Sequence, residues 1–251
     1  MLQFQSRARN RLCTVALAAM CIWSCGCTRT SPPTPAGVID GVGSVWYQWR
    51  PSAFELAVAN AIRVRPGLWL ATDHARPRSG VRCATGDGAR DSVPVELVAS
   101  VDPVSGHQPL ALSARDWALV RTVEHRTAPS ARIAWTRAPD VGDRVWVVGV
   151  EFDETLEPGS PWAEVSPRVH SGRVRRFPNW TVPEDERGGL IAFSLDESAP
   201  LSGFSGSPIV NENGEVVAMY LGRIRKRAGW IDLDTVYVAR LLNEEIRAAI
   251  D

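Results

Sequence analysis

Ser205 stands between Gly203 and Gly206 in the run Leu201-Ser202-Gly203-Phe204-Ser205-Gly206-Ser207-Pro208-Ile209-Val210. A serine hydroxyl can attack a carbonyl carbon only if the backbone turns sharply around it, and glycine permits that turn without steric cost. The same turn can aim N–H groups at the oxygen that becomes negative, and Gly203 and Ser205 are spaced to supply two of them. Glycine and serine also fill ordinary loops, so the motif has to be judged together with its partners. A serine nucleophile needs a base, and the chain has four histidines: His74, His107, His125 and His170. None follows Ser205, which excludes the order nucleophile, acid, base along the chain. His74 ends the apolar run Leu68-Trp69-Leu70-Ala71-Thr72-Asp73, where a strand would leave a packed sheet. Asp116 stands at the mouth of a second apolar run, Trp117-Ala118-Leu119-Val120, and is the natural acid to orient the imidazole.

The elements that must position these groups read as short strands. A first group lies at about 44–138 and includes Ala61 to Val64, the Arg65-Pro66-Gly67 turn, Val93 to Val101, Trp117 to Val123 and Ile133 to Trp135. A second, about 144–238, includes Val145 to Val150, Gly172 to Arg176, Leu190 to Leu195, Val210 to Leu221 around the Asn211-Glu212-Asn213-Gly214 turn, and Trp230 to Val238. Leu241, Leu242, Ile246 and Ile250 then share one helical face in the closing stretch from Val238 to Ile250. Many short strands, turn residues between them and one late helix predict an all-β fold of two six-stranded antiparallel β-barrels with a C-terminal helix. The chemistry would then lie between the barrels.

Three segments, taken in order, resemble the trypsin-like (chymotrypsin-fold) serine proteases, and particularly their disulfide-free bacterial branch. Trp69-Leu70-Ala71-Thr72-Asp73-His74 resembles the family's apolar-Thr-Ala-Ala-His segment, Asp116-Trp117-Ala118-Leu119-Val120 its Asp-Ile/Leu-Ala-Leu-Leu segment, and Gly203-Phe204-Ser205-Gly206-Ser207-Pro208 its Gly-Asp/Asn-Ser-Gly-Gly-Pro segment. The order His, Asp, Ser is the family's. Further similarity runs from about Ser44 to Ile250. The resemblance implies a serine endopeptidase acting on a protein or peptide, in which His74, Asp116 and Ser205 form the triad and Gly203 and Ser205 the oxyanion hole. Ala199, six residues before the serine, and Met219, Tyr220, Leu221 and Gly222 would line the substrate side-chain pocket. They carry no charge, which points to a small or apolar residue before the cut.

Departures from the family pattern are Asp73 beside the histidine, Ala71 for threonine, Phe204 before the serine and Ser207 for a glycine. A carboxylate at Asp73 would raise the imidazole pKa or compete for its N–H, weakening the base. The alternative function is therefore a catalytically inactive trypsin-like fold serving as a surface binding or scaffold lipoprotein.

Composition is that of a folded enzyme: of 251 residues, 45% are hydrophobic, and the formal net charge of zero argues against a nucleic-acid partner. Most of the ten tryptophans fall in strand-like runs and read as core. At the N-terminus Arg7, Arg9 and Arg11 precede the apolar stretch Leu12 to Trp23, as in a secretion signal, and Ser24-Cys25-Gly26-Cys27 resembles a lipobox. We expect residues 1–27 to be a signal peptide with Cys27 lipidated, Cys25 being the runner-up, and residues 28–43 a Pro-rich tether to a domain at 44–251. The expected location is the periplasm or cell envelope, with a lipid anchor in the membrane. Four of the five cysteines lie in the leader, leaving only Cys83 in the domain and no disulfide within it. No metal or other cofactor is implied, because no histidine pair sits at ligand spacing.

Overall fold

The computed structural model describes residues 42–49, 56–75, 82–85, 93–100, 112–122, 130–150, 167–199 and 201–251. Among these residues there are twelve strands and one α-helix. The first six strands are β1 (Val42–Trp49), β2 (Leu56–Arg65), β3 (Leu68–Ala71), β4 (Arg82–Thr85), β5 (Val93–Ser100) and β6 (Ala118–Thr122). They pair antiparallel in the order β1-β2-β3-β6-β5-β4, and β4 returns to β1, which closes a barrel. The last six are β7 (Arg144–Val150), β8 (Pro167–Arg175), β9 (Leu190–Leu195), β10 (Pro208–Val210), β11 (Val216–Ala228) and β12 (Ile231–Leu241). They pair in the order β10-β11-β12-β9-β8-β7, with β10 also bonded to β7 at Ile209–Val147 and Val210–Trp146.

Local chemistry explains the key connections. Pro66 and Gly67 join β2 to β3; Gly67 has φ +70°, and a Cβ there would lie 2.9 Å from the Thr122 carbonyl oxygen. In β7 the run Val145-Trp146-Val147-Val148 is buried throughout. Successive side chains point to opposite faces, so Val145 and Val147 join a cluster with Phe193, Phe204 and Ile209, while Trp146 and Val148 join one with Met219 and Val238. The latter cluster also contains Ile62, Leu70 and Leu119 of the N-terminal barrel. Each such aliphatic side chain removed from water contributes about 1.5–3 kcal/mol. Trp69 anchors the other face of β3, its indole N–H donating to Thr122 Oγ1 at 2.9 Å.

Boundaries differ from expectation: β2 and β8 each begin five residues earlier, and β11 runs on to Ala228 rather than ending at Leu221. β1 begins at Val42, inside the stretch expected to be tether, and β4 was not anticipated. Ile133 to Trp135 form no strand; Ile133 makes one isolated parallel bridge to Val216. The terminal helix α1 (Glu244–Ile250) is shorter than the stretch from Val238, because Val238 and Ala239 are held as strand against Ala192 and Ile191. The helix starts where Asn243 can cap it, its side chain accepting from the Ile246 N–H at 3.3 Å. Among the described residues no helix is long and apolar enough to cross a membrane. The expected signal peptide, Cys25 and Cys27 lie outside the described residues, as do His107 and His125.

Candidate active site

Strand register brings two of the candidate residues together. β3 and β6 run antiparallel with Ala71 opposite Ala118, so the residues just after β3 and just before β6 emerge side by side. His74 follows Ala71 by three positions and Asp116 precedes Ala118 by two. The Asp116 carboxylate is buried and takes two bonds from the same residue: Oδ1 accepts the His74 backbone N–H at 2.9 Å, and Oδ2 lies 2.6 Å from His74 Nδ1. Because a carboxylate only accepts, Nδ1 carries the proton and Nε2 is left with a lone pair. Ser205 Oγ lies 3.1 Å from that Nε2, within reach for a hydroxyl to donate its proton to the ring. Both ring nitrogens are thus engaged by Asp116 and Ser205. Asp73, buried beside the histidine, occupies neither, so the expected competition for the imidazole N–H is not seen.

The serine comes from the loop that precedes β10, and that loop is shaped by its backbone. Gly203 and Gly206 have φ of +81° and +86°, and Leu201 is held at +46°, a region that non-glycine residues seldom adopt. Among the described residues neither the Gly203 nor the Ser205 N–H donates to another backbone group, whereas those of Phe204, Gly206 and Ser207 do. Phe204, where the family has a polar residue, is fully buried and meets His170 edge to face at 5.4 Å. Gly149 makes room for it, since a Cβ there would collide with Ser207 Oγ and approach Phe204.

Sequence reasoning missed Asn60. It lies in β2 next to Ala61, which pairs with Ala71, and it bonds the Ser205 loop twice. Its backbone N–H donates to the Ser205 carbonyl at 2.7 Å, and its Nδ2 donates to the Gly203 carbonyl at 2.8 Å. A Cβ at Gly206 would collide with the Asn60 carbonyl oxygen, so only glycine allows this approach. Asparagine is depleted in strands, and Asn60 amid Ala57-Val58-Ala59 and Ala61-Ile62 was the available signal.

The candidate pocket residues divide between the two faces of β11. Ala199 and Tyr220 share a cluster with Phe193 and Tyr237, the Tyr237 hydroxyl donating to the Ala199 carbonyl at 2.9 Å. Rings of Phe193 and Tyr237 lie 6.2 Å and 6.4 Å from that of Tyr220, and burial pushes the Tyr220 phenol pKa far above its ordinary value. Met219 and Leu221 enter the opposite cluster. Leu221 reaches the site through its backbone, its carbonyl oxygen lying 3.4 Å from Ser205 Oγ, farther than His74 Nε2. Gly222 pairs with Val238, and a Cβ there would press on Leu112. Among the described residues no group of His, Cys, Asp and Glu side chains assembles that could hold a metal ion.

The family model for a trypsin-like peptidase domain matches residues 51–219. The chain belongs to that family. The match spans His74, Asp116 and Ser205, and it makes this trypsin-like peptidase a hydrolase whose substrate is a protein or peptide. No curated protein matches the chain.

Proposed function

We propose that this trypsin-like peptidase is a serine endopeptidase of the chymotrypsin-like two-barrel type. The reading rests on one observation above all, the continuous chain of hydrogen bonds from Asp116 through His74 to Ser205. In the proposed reaction His74 Nε2 takes the proton from Ser205 Oγ as the oxygen attacks the peptide carbonyl, and Asp116 holds the tautomer and stabilises the imidazolium. The N–H groups of Gly203 and Ser205 stabilise the oxyanion. His74 then protonates the leaving amine, and water, activated by the same histidine, releases the acyl group from Ser205.

The substrate backbone would run along β11 beyond Leu221. Around Ala199 the space is already occupied by the rings of Tyr220, Tyr237 and Phe193, which supports a small residue before the cut. Arg7, Arg9, Arg11 and the apolar run to Trp23, followed by Gly26-Cys27, support export and lipid anchoring through Cys27 at the cell envelope.

The test is labelling with a fluorophosphonate, which reacts only with an activated serine. The protein should label and the Ser205→Ala variant should not. A folded protein that does not label, with or without Asp73→Ala, would sink the endopeptidase reading and return the chain to a binding role.

A further inference from the structure

The β11–β12 hairpin outruns the sheet that carries it. β10 reaches β11 only as far as Met219, and β9 reaches β12 only from Tyr237 onward. Between these limits, among the described residues, Ile224–Ala228 and Ile231–Val236 pair only with each other, as a two-stranded ribbon. The base of the ribbon packs in the core through Val236 and Ile224, but its outer end has little to bury against and would ordinarily be polar. Here the end carries Gly229-Trp230-Ile231-Asp232-Leu233, with Trp230 102%, Ile231 65% and Leu233 57% exposed. Gly229 has φ +61° and open space around it, so the turn projects freely.

Charge on the ribbon is one-sided. Arg223, Arg225, Lys226 and Arg227 line β11, and Arg175 of β8 is bonded to the ribbon through Asp234 at 3.0 Å. Against these five cations stand Asp232 and Asp234. Asp232 holds both Arg225 and Arg227, at 3.3 and 2.8 Å, which places that trio on one face of the ribbon. Lys226 and Ile231 alternate to the other face, where the Lys226 ammonium lies 5.9 Å from the Trp180 ring.

We propose that this ribbon is a peripheral docking site for an anionic lipid surface. An indole and two aliphatic side chains at a projecting turn, with an excess of cations just behind them, match the layers of a bilayer interface. The apolar tip enters the headgroup boundary and the cations meet the phosphates. Apolar side chains alone would fit many partners; the cation excess selects the anionic surface. The Leu221 carbonyl touches Ser205 Oγ, and Ala228 lies seven residues further along the strand, or about 23 Å. Docking would hold the Ser205 site at that distance from the lipid. The inference stands independently of whether the site is catalytic.

Hydrogen exchange of the full chain bearing Cys25→Ser and Cys27→Ser reports on the ribbon even if the leader also binds lipid. With vesicles of one part phosphatidylglycerol to two parts phosphatidylcholine, amides of residues 224–236 should exchange at least about threefold more slowly. Pure phosphatidylcholine vesicles should leave them unchanged, and adding salt to about 0.5 M should remove most of the protection. The combined variant Trp230→Ser, Ile231→Ser, Leu233→Ser should lose the protection while keeping the parent's melting temperature. Unchanged exchange in the ribbon on anionic vesicles would overturn the proposal. So would protection that grows with protein concentration in the absence of lipid, which would identify a second copy as the occupant.

Discussion

The two halves of the candidate site are held in place by different means. His74 and Asp116 belong to adjacent strands of one barrel, and the Ala71–Ala118 pairing that builds the barrel also sets their separation. Ser205 belongs to a loop whose form depends on residues with φ above zero, and it is aligned by two bonds from Asn60 in the other half. Asp116 and His74 are therefore positioned as a consequence of folding one sheet. Ser205 is positioned only when that sheet and the loop meet. The first arrangement resists single backbone changes because many ladder bonds share the work, whereas the second concentrates its dependence on a few atoms.

Three substitutions act separately on the sheet and on the loop. Asp116→Asn should have the largest effect, lowering peptidase turnover on the order of 10⁴-fold by favouring the wrong imidazole tautomer while leaving the strand pairing intact. Steady-state kinetics with an unchanged thermal melt is the expected result; collapse of the fold would mean that the barrel needs the carboxylate after all. Gly206→Ala attacks the loop, forcing a Cβ into the Asn60 carbonyl at a φ of +86°. It should cost about 3 kcal/mol in denaturant unfolding and slow fluorophosphonate labelling roughly 100-fold. Wild-type behaviour would show that the loop yields more easily than the geometry implies. Asn60→Ala removes the Gly203 contact but keeps the backbone bond to Ser205. A fall in kcat of about tenfold with KM nearly constant is expected from one lost hydrogen bond that orients the loop. A change in KM alone would assign Asn60 to substrate binding instead.

Legibility followed the length of the pattern that carried each feature. His74, Asp116 and Ser205 each lie in a segment of about six residues whose composition reports a strand end or a glycine turn, so the three could be picked out together, from their order along the chain. Asn60 could not, because its role is defined by Gly203, 143 residues away. The apolar run Ile133 to Trp135 has strand composition but packs by a single bridge, since propensity supplies no partner. In the terminal stretch, Leu241 shares the helical spacing of Leu242 and Ile246, yet its pairing with Ala218 keeps it in β12. The pocket candidates Met219 to Gly222 were contiguous in the chain, but the two-residue period of β11 sent Tyr220 to the Ala199 side and Met219 and Leu221 away from it.

The β-rich character, the turns at Gly67 and Gly206 and the groups able to do chemistry could be read from the residues alone. These depend on local sterics and on the periodicity of apolar residues, which act over a few positions. Folding in three dimensions settled that Asp116 rather than Asp73 takes the imidazole N–H, that Asn60 fastens the Ser205 loop, and that Trp230 stands exposed at the far end of a two-stranded ribbon. Those outcomes depend on strand register and on contacts between residues far apart in the chain, and a hydrogen bond of 3 Å is sensitive to displacements far smaller than any local pattern can specify.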